Sequence, residues 1–146
     1  MDPFDSFALR AWALASLVVV LKTMAVGVWT SVLRVRSRTY ISPEDYAHQG
    51  HEAPDQPDPD VERARRIHRN DLENGLPFFV VGGIFAATSP STLEVAVCFA
   101  GFPLARILHT VFYARGAMPQ RTWAYAAGFF ITVWMALASL FRLLVA

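Results

Sequence analysis

Arg66, Arg69, Asn70 and Glu73 stand at i, i+3, i+4 and i+7, so in a helix they share one face. That face presents cations, an amide and a carboxylate within about three turns. Such a set suits a small zwitterionic ligand with several charges, held where a helical bundle meets water. Two further stretches carry matching groups. Arg106, His109 and Tyr113 fall at i, i+3 and i+7, and Arg121 and Tyr125 at i and i+4, with Thr122 beside them. Ionisable residues in apolar segments are functional candidates by default. Cations here outnumber acids: pairing within the protein would need more carboxylates than Asp71, Glu73 and the loop acids provide, and a bound anion would make up the deficit. Glutathione, with its carboxylates, ammonium, amides and thiol, fits the inventory. A nucleotide or a lipid head group would also suit arginines. A thiol of pKa about 8.5 is mostly protonated at neutral pH. Arg121 with Thr122 would stabilise its thiolate.

The elements that must position these residues are membrane helices. The 146-residue chain is 54% hydrophobic with mean hydropathy +0.33, and its charged residues, 17%, are clustered. Its length suits one domain, 1–146. The formal net charge of +1 gives no reason to expect a nucleic-acid partner. Cys98, the lone cysteine, excludes a disulfide within the chain and reads as an apolar packing residue. Asp2 and Asp5 precede the first apolar run where a signal peptide would be basic, so that run reads as a retained transmembrane helix.

The expected architecture is an all-α, integral membrane four-helix bundle, with transmembrane helices at about 8–36, 61–88, 92–115 and 119–145 and a polar loop over 37–60. Lys22 lies near the middle of the first helix, where a charge is costly unless paired; Asp71 and Glu73 are the candidate partners. Trp12 and Trp29, near that helix's ends, suit the membrane interface. In the loop, Ser42 and Pro43 read as N-cap and first residue of a short helix, and Asp58-Pro59-Asp60 can cap the second long one. Pro77 should kink that helix, and Gly82 and Gly83 allow a neighbouring helix to approach. Arginines from 34 to 69 and at 115 and 121 mark the cytoplasmic side. Asp2, Asp5, Glu94 and Arg142 mark the other.

Rival chemistries are weaker. His68 and His109 would have to ligate a haem from two helices, but arginines flank His68. Arg63, Arg66 and Arg69 recur every third residue as in a voltage sensor, without the apolar spacing a sensor needs. His48, His51 and Glu52 sit in a proline-rich loop with no third strong ligand, so no metal site is expected.

The run from Glu62 to Asn74, followed by Pro77 and Phe78, resembles the signature of the membrane-associated proteins in eicosanoid and glutathione metabolism (MAPEG). The branch in view holds microsomal glutathione transferase and microsomal prostaglandin E synthase. Pro43-Glu44-Asp45, Arg106 to Thr110 with Tyr113, and Pro119-Gln120-Arg121 extend the resemblance over roughly residues 10–144. It implies a four-helix protomer, a homotrimer, and a glutathione site between protomers on the cytoplasmic side. The membrane would be endoplasmic reticulum in a eukaryote or the inner membrane in a bacterium. Carried over by motif, Arg34, Arg66, Arg69, Asn70, Glu73, His109, Tyr113 and Tyr125 contact glutathione, and Arg106 supports that site. Arg121 stabilises the thiolate and Asp45 matches a catalytic loop aspartate. Thr122 departs from the synthase pattern, which has a serine there; the added methyl weakens the case for thiol activation by that hydroxyl. Asn70 to Asn74 is more like the transferase. The expected function is a membrane glutathione transferase or peroxidase acting on lipophilic electrophiles. A glutathione-dependent prostaglandin E synthase-like isomerase and a non-catalytic lipid-binding accessory protein are the alternatives.

Overall fold

The computed structural model describes residues 6–145, and all of its regular structure there is helical. The helices are α1 (Phe7–Ser37), α2 (Pro43–Gln49), α3 (Pro59–Ala87), α4 (Thr92–Ala114) and α5 (Gln120–Val145). Asp2 and Asp5, read above as markers of the outward side, lie outside the described residues.

Local chemistry sets the helix starts. Asp58 caps α3, its Oδ1 accepting from the N–H groups of Asp60 at 2.9 Å and Val61 at 3.1 Å, and Pro59 occupies the first turn, where its missing donor costs nothing. In α4, the N–H of Ser91 donates to Glu94 Oε2 at 2.9 Å, and the Ser91 hydroxyl accepts from the Glu94 N–H at 3.4 Å. Short α2 begins on Ser42 and Pro43 and ends at Gly50, whose φ of 66° favours glycine. Backbone N–H donation and the Ser42 hydroxyl hold the exposed Glu44 carboxyl below the ordinary carboxylate range.

Three of the helices, α1, α4 and α5, are long and apolar enough to cross a membrane. The fourth long helix, α3, is not among them: its first half is charged and only its second half, from about Leu72, is apolar, as its sequence indicates. The long helices form a ring in which α1 packs on α3 and α4, and α5 packs on the same two. α3 and α4 also touch across the ring, whereas α1 and α5 do not. Phe78 of α3 and Phe102 of α4 stack face to face at that contact, centroids 4.0 Å apart, with Phe99 and Phe85 edge-on nearby. Cys98 is buried in the same core, as its sequence context suggests. The outward faces of α1 and α5 carry exposed Leu14, Leu17, Leu21, Trp123, Phe130 and Trp134. So large an apolar surface belongs against lipid.

Trp12, near the start of α1, is also a packing residue. Its indole packs on the helix surface left bare by Gly82 and Gly83 of α3. A methyl group at Gly82 would stand 2.9 Å from Trp12 Cδ1, and one at Gly83 3.2 Å from Cζ2. The two glycines therefore receive a bulky side chain rather than a closely approaching backbone. At the same end of the bundle, Arg142 of α5 binds both carboxylate oxygens of Glu94 at 2.7 Å and lies over the Phe85 ring. This clamp ties the end of α5 to the start of α4.

Candidate functional site

The polar centre of the bundle is built from α1, α3 and α4. Arg106 is 2% exposed and Asp71 3% exposed, so neither charge is solvated. Arg106 Nη2 donates to Asp71 Oδ1 at 2.9 Å and to Asn70 Oδ1 at 2.6 Å. Lys22 of α1 ion-pairs with that same Asp71 oxygen. Of the two partners expected for Lys22, it is Asp71 that meets it. The stem of Arg106 reaches this position over Gly128 of α5, with Cδ 3.6 Å from where a Cβ would stand, and beside the Phe102 ring. Two basic side chains and one carboxylate thus share a largely buried site, one more cation than anion within the trio. At low dielectric that charge acts on any nearby anion far more strongly than it would in water.

Above this centre the aromatic and basic residues of α4 and α5 meet. His109 is buried, with its ring centroid 5.5 Å from Tyr113 and 6.3 Å from Tyr125. The Arg121 guanidinium lies over the Tyr113 ring, 4.6 Å from its centroid. Tyr125 in turn stacks on Phe129. Asn70, Glu73 and Tyr125 line one groove of about 260 Å³ between α3 and α5, floored by Pro77, Phe129 and Thr132. The fold therefore brings together Asn70, Glu73, Arg106, His109, Tyr113, Arg121 and Tyr125.

The remaining candidates lie elsewhere. Arg66 and Arg69 are exposed on α3 and do not line that groove. Arg34 and Asp45 share a second groove of about 260 Å³, under α2, with Tyr40 and Gln49. Asp45 also closes the start of α2, its Oδ2 accepting from the Ser42 N–H at 3.4 Å. Tyr46 fixes that loop from below, its hydroxyl accepting from the Tyr40 N–H at 2.9 Å. Thr122 is exposed, and its hydroxyl faces the Met118 thioether at 3.6 Å. His68 faces α1, with Nε2 3.6 Å from where a Cβ on Gly27 would stand, whereas His109 meets Tyr113 and Tyr125 on the α4 and α5 side.

Each groove falls below the roughly 300–1,000 Å³ usual for a small-molecule pocket. Sequence reasoning named Asp71 only as a partner for Lys22 and missed that it also holds Arg106. The available signal was its spacing from Ala64 and Ile67, at i+7 and i+4, which puts Asp71 on the apolar, inward face of a charged helix, where a carboxylate needs a cation.

The MAPEG family model matches residues 12–141. Prostaglandin E synthase of Rattus norvegicus is 35% identical over 139 residues, covering 94% of this chain and 91% of that protein. Prostaglandin E synthase of Homo sapiens is 36% identical over 109 residues, covering 75% and 72%. Microsomal glutathione S-transferase 1 of Rattus norvegicus is 32% identical over 137 residues, covering 90% and 88%.

Proposed function

The chain belongs to the MAPEG family, and from that premise we propose that it is a membrane-bound glutathione transferase, activating the glutathione thiolate for attack on lipophilic electrophiles or hydroperoxides. The observation that supports this reading is that Asn70, Glu73 and Tyr125 line one groove, with Arg106 of the buried trio bonded to Asn70 and with His109, Tyr113 and Arg121 in the aromatic and basic cluster beside Tyr125. That arrangement offers an anionic tripeptide guanidinium groups close by, a carboxylate for its ammonium and aromatic walls. In this reading Arg121 stabilises the thiolate as the proton leaves, and the attack on an electrophile then needs only proximity and an apolar approach. The acceptor arrives from lipid along the apolar flanks of α3 and α5.

α3 completes the count of four transmembrane helices, its apolar half in lipid and its charged half projecting on the cytoplasmic side. Its 29 residues make it about 43 Å long, enough for both. The site is completed in a homotrimer. The undersized groove at Asn70 and Glu73 and the separate groove at Arg34 and Asp45 are complementary halves, joined when protomers meet, and Arg66 and Arg69 reach the ligand from that seam. The compartment is a bilayer with the arginine-rich end in the cytoplasm.

A prostaglandin E synthase-like isomerase is the second reading. Two of the relatives named above are prostaglandin E synthases, and their identity to this chain slightly exceeds that of the transferase. The placement of Thr122 against Met118 speaks for Arg121 alone as the thiol activator. Detergent-purified protein should conjugate glutathione to a chlorodinitrobenzene-type electrophile, with Arg121→Ala as the control. The same preparation should be assayed for hydroperoxide reduction and endoperoxide isomerisation. Folded trimers that show no thiolate absorbance and no turnover in any of the three assays would overturn the reading.

A further inference from the structure

Lys22 contributes nothing to the groove at Asn70 and Glu73, and it sits on a helix that does not touch α5. It is nevertheless one of the few charges in an apolar helix, with a side chain 12% exposed. A structural ion pair needs only one cation for one carboxylate. Asp71 already has Arg106, and a neutral Arg106–Asp71 pair would leave nothing for a lysine to balance. The third charge therefore needs a reason of its own.

The reason lies in the geometry of one oxygen. Lys22 and Arg106 approach the same Asp71 Oδ1, and the Nη2 of Arg106 that reaches it also holds Asn70 Oδ1. Engaging Oδ1 of Asn70 leaves its amide N–H groups as the donors available to the groove that Asn70 lines. Without Lys22, Asp71 is free to turn and take Arg106 as a bidentate pair, the geometry that a guanidinium prefers. Nη2 would then no longer be directed between Asp71 and Asn70, and the trio would become neutral.

We propose that Lys22 is a positioning residue for glutathione, acting through Asp71 and Arg106 to orient the Asn70 amide and to keep one unbalanced positive charge beneath the groove. The proposal rests on the reading of that groove as a glutathione site. It assigns to a residue on the far side of the bundle an effect on glutathione, the ligand whose charges the Asn70 amide and the trio would meet.

The test is a comparison of wild type with Lys22→Met, Lys22→Gln and Lys22→Arg as detergent-purified, full-length protein. Glutathione binding is measured by calorimetry, and KM for glutathione and for the electrophile are measured separately. Both neutral variants should bind glutathione about tenfold more weakly and raise its KM in proportion, while KM for the electrophile stays within twofold of wild type. Lys22→Arg, which restores the charge, should recover most of the affinity. A merely structural lysine would lower thermal stability and the active fraction while leaving the glutathione dissociation constant of the folded protein unchanged, and that result overturns the proposal. Failure of both neutral variants to fold also overturns it, because Lys22 is then required for folding itself. If wild-type protein binds no glutathione, the underlying reading of the groove is what fails, and the role of Lys22 falls with it.

Discussion

Replacing Gly82 with alanine adds one methyl group where Trp12 already sits. The new Cβ would stand 2.9 Å from Cδ1 and 3.1 Å from Nε1 of the indole, against the usual 3.5–4.0 Å between carbon atoms. The ring has little room to slide, because a Cβ at Gly83 would also be only 3.2 Å from Cζ2. Overfilling of this kind costs about 1–3 kcal/mol. Alanine gains about 1 kcal/mol over glycine in helix propensity, so the net destabilisation is about 1 kcal/mol. Gly101 supplies the control. Its added methyl would meet only the Cδ1 end of Ile131, at 3.1 Å, and that side chain can give way. There the propensity gain wins, and Gly101→Ala should be neutral or slightly stabilising. With about 2–4 °C per kcal/mol for a domain of this size, Gly82→Ala should melt several degrees below Gly101→Ala. The assay is thermal unfolding in one detergent at one scan rate, since unfolding of such a protein is governed kinetically. A Trp12→Leu background should remove most of the difference. Equal melting of the two alanine variants, or a more stable Gly82→Ala, would refute the packing account of α1 against α3.

Other expectations concern the charges and the thiol. Asp71→Ala strands Lys22 and Arg106 without a carboxylate and should cost about 3–5 kcal/mol, read as loss of monodisperse protein on size exclusion. A double-mutant cycle on Glu94→Gln and Arg142→Met should give a coupling of about 1 kcal/mol in thermal stability, as the pair is bidentate but partly exposed. Arg121→Ala should lower conjugation at least tenfold with little change in melting, because Arg121 packs on Tyr113 at the bundle's edge and not in its core; this is read from initial rates at saturating glutathione. Cys98, 1% exposed, should resist maleimide until the protein unfolds, as followed by intact-mass spectrometry.

Much of the scaffold was legible because it depends on neighbours in sequence. Ser42 with Pro43 and Asp58 with Pro59 are local signals, and the starts of α2 and α3 follow from them. The faces formed by Arg106, His109 and Tyr113, and by Arg121 and Tyr125, follow from helical periodicity, which also sets which residues can face the same side. What periodicity leaves open is depth and rotation against another helix. The place of Trp12 near a helix end was therefore legible, but not its packing on two glycines some seventy residues away. The sharing of one Asp71 oxygen by Lys22 and Arg106 joins three helices and has no signature in any one of them. Glu94 and Arg142 were legible as charges of the same end, but not as a pair. The candidate ligand residues divide in the same way. Those on α4 and α5 meet within one chain, whereas Arg34 and Asp45 open on another surface.

The Lys22–Asp71 pair also bears on how the protein enters its membrane. Chains emerge N-terminus first at about 5–20 residues per second. Asp71 follows Lys22 by about fifty residues, so the lysine waits some three to ten seconds for its counter-ion. During that interval α1 carries an unpartnered ammonium near its midpoint, at a cost of roughly 2.5–3.5 kcal/mol on the insertion scale. Each Leu, Val or Phe of α1 offsets about 0.3–0.6 kcal/mol of that cost, and the helix is rich in them. The dense apolar composition of α1 thus does more than span the bilayer: it lets the first helix be integrated alone, ahead of the partner that will neutralise it.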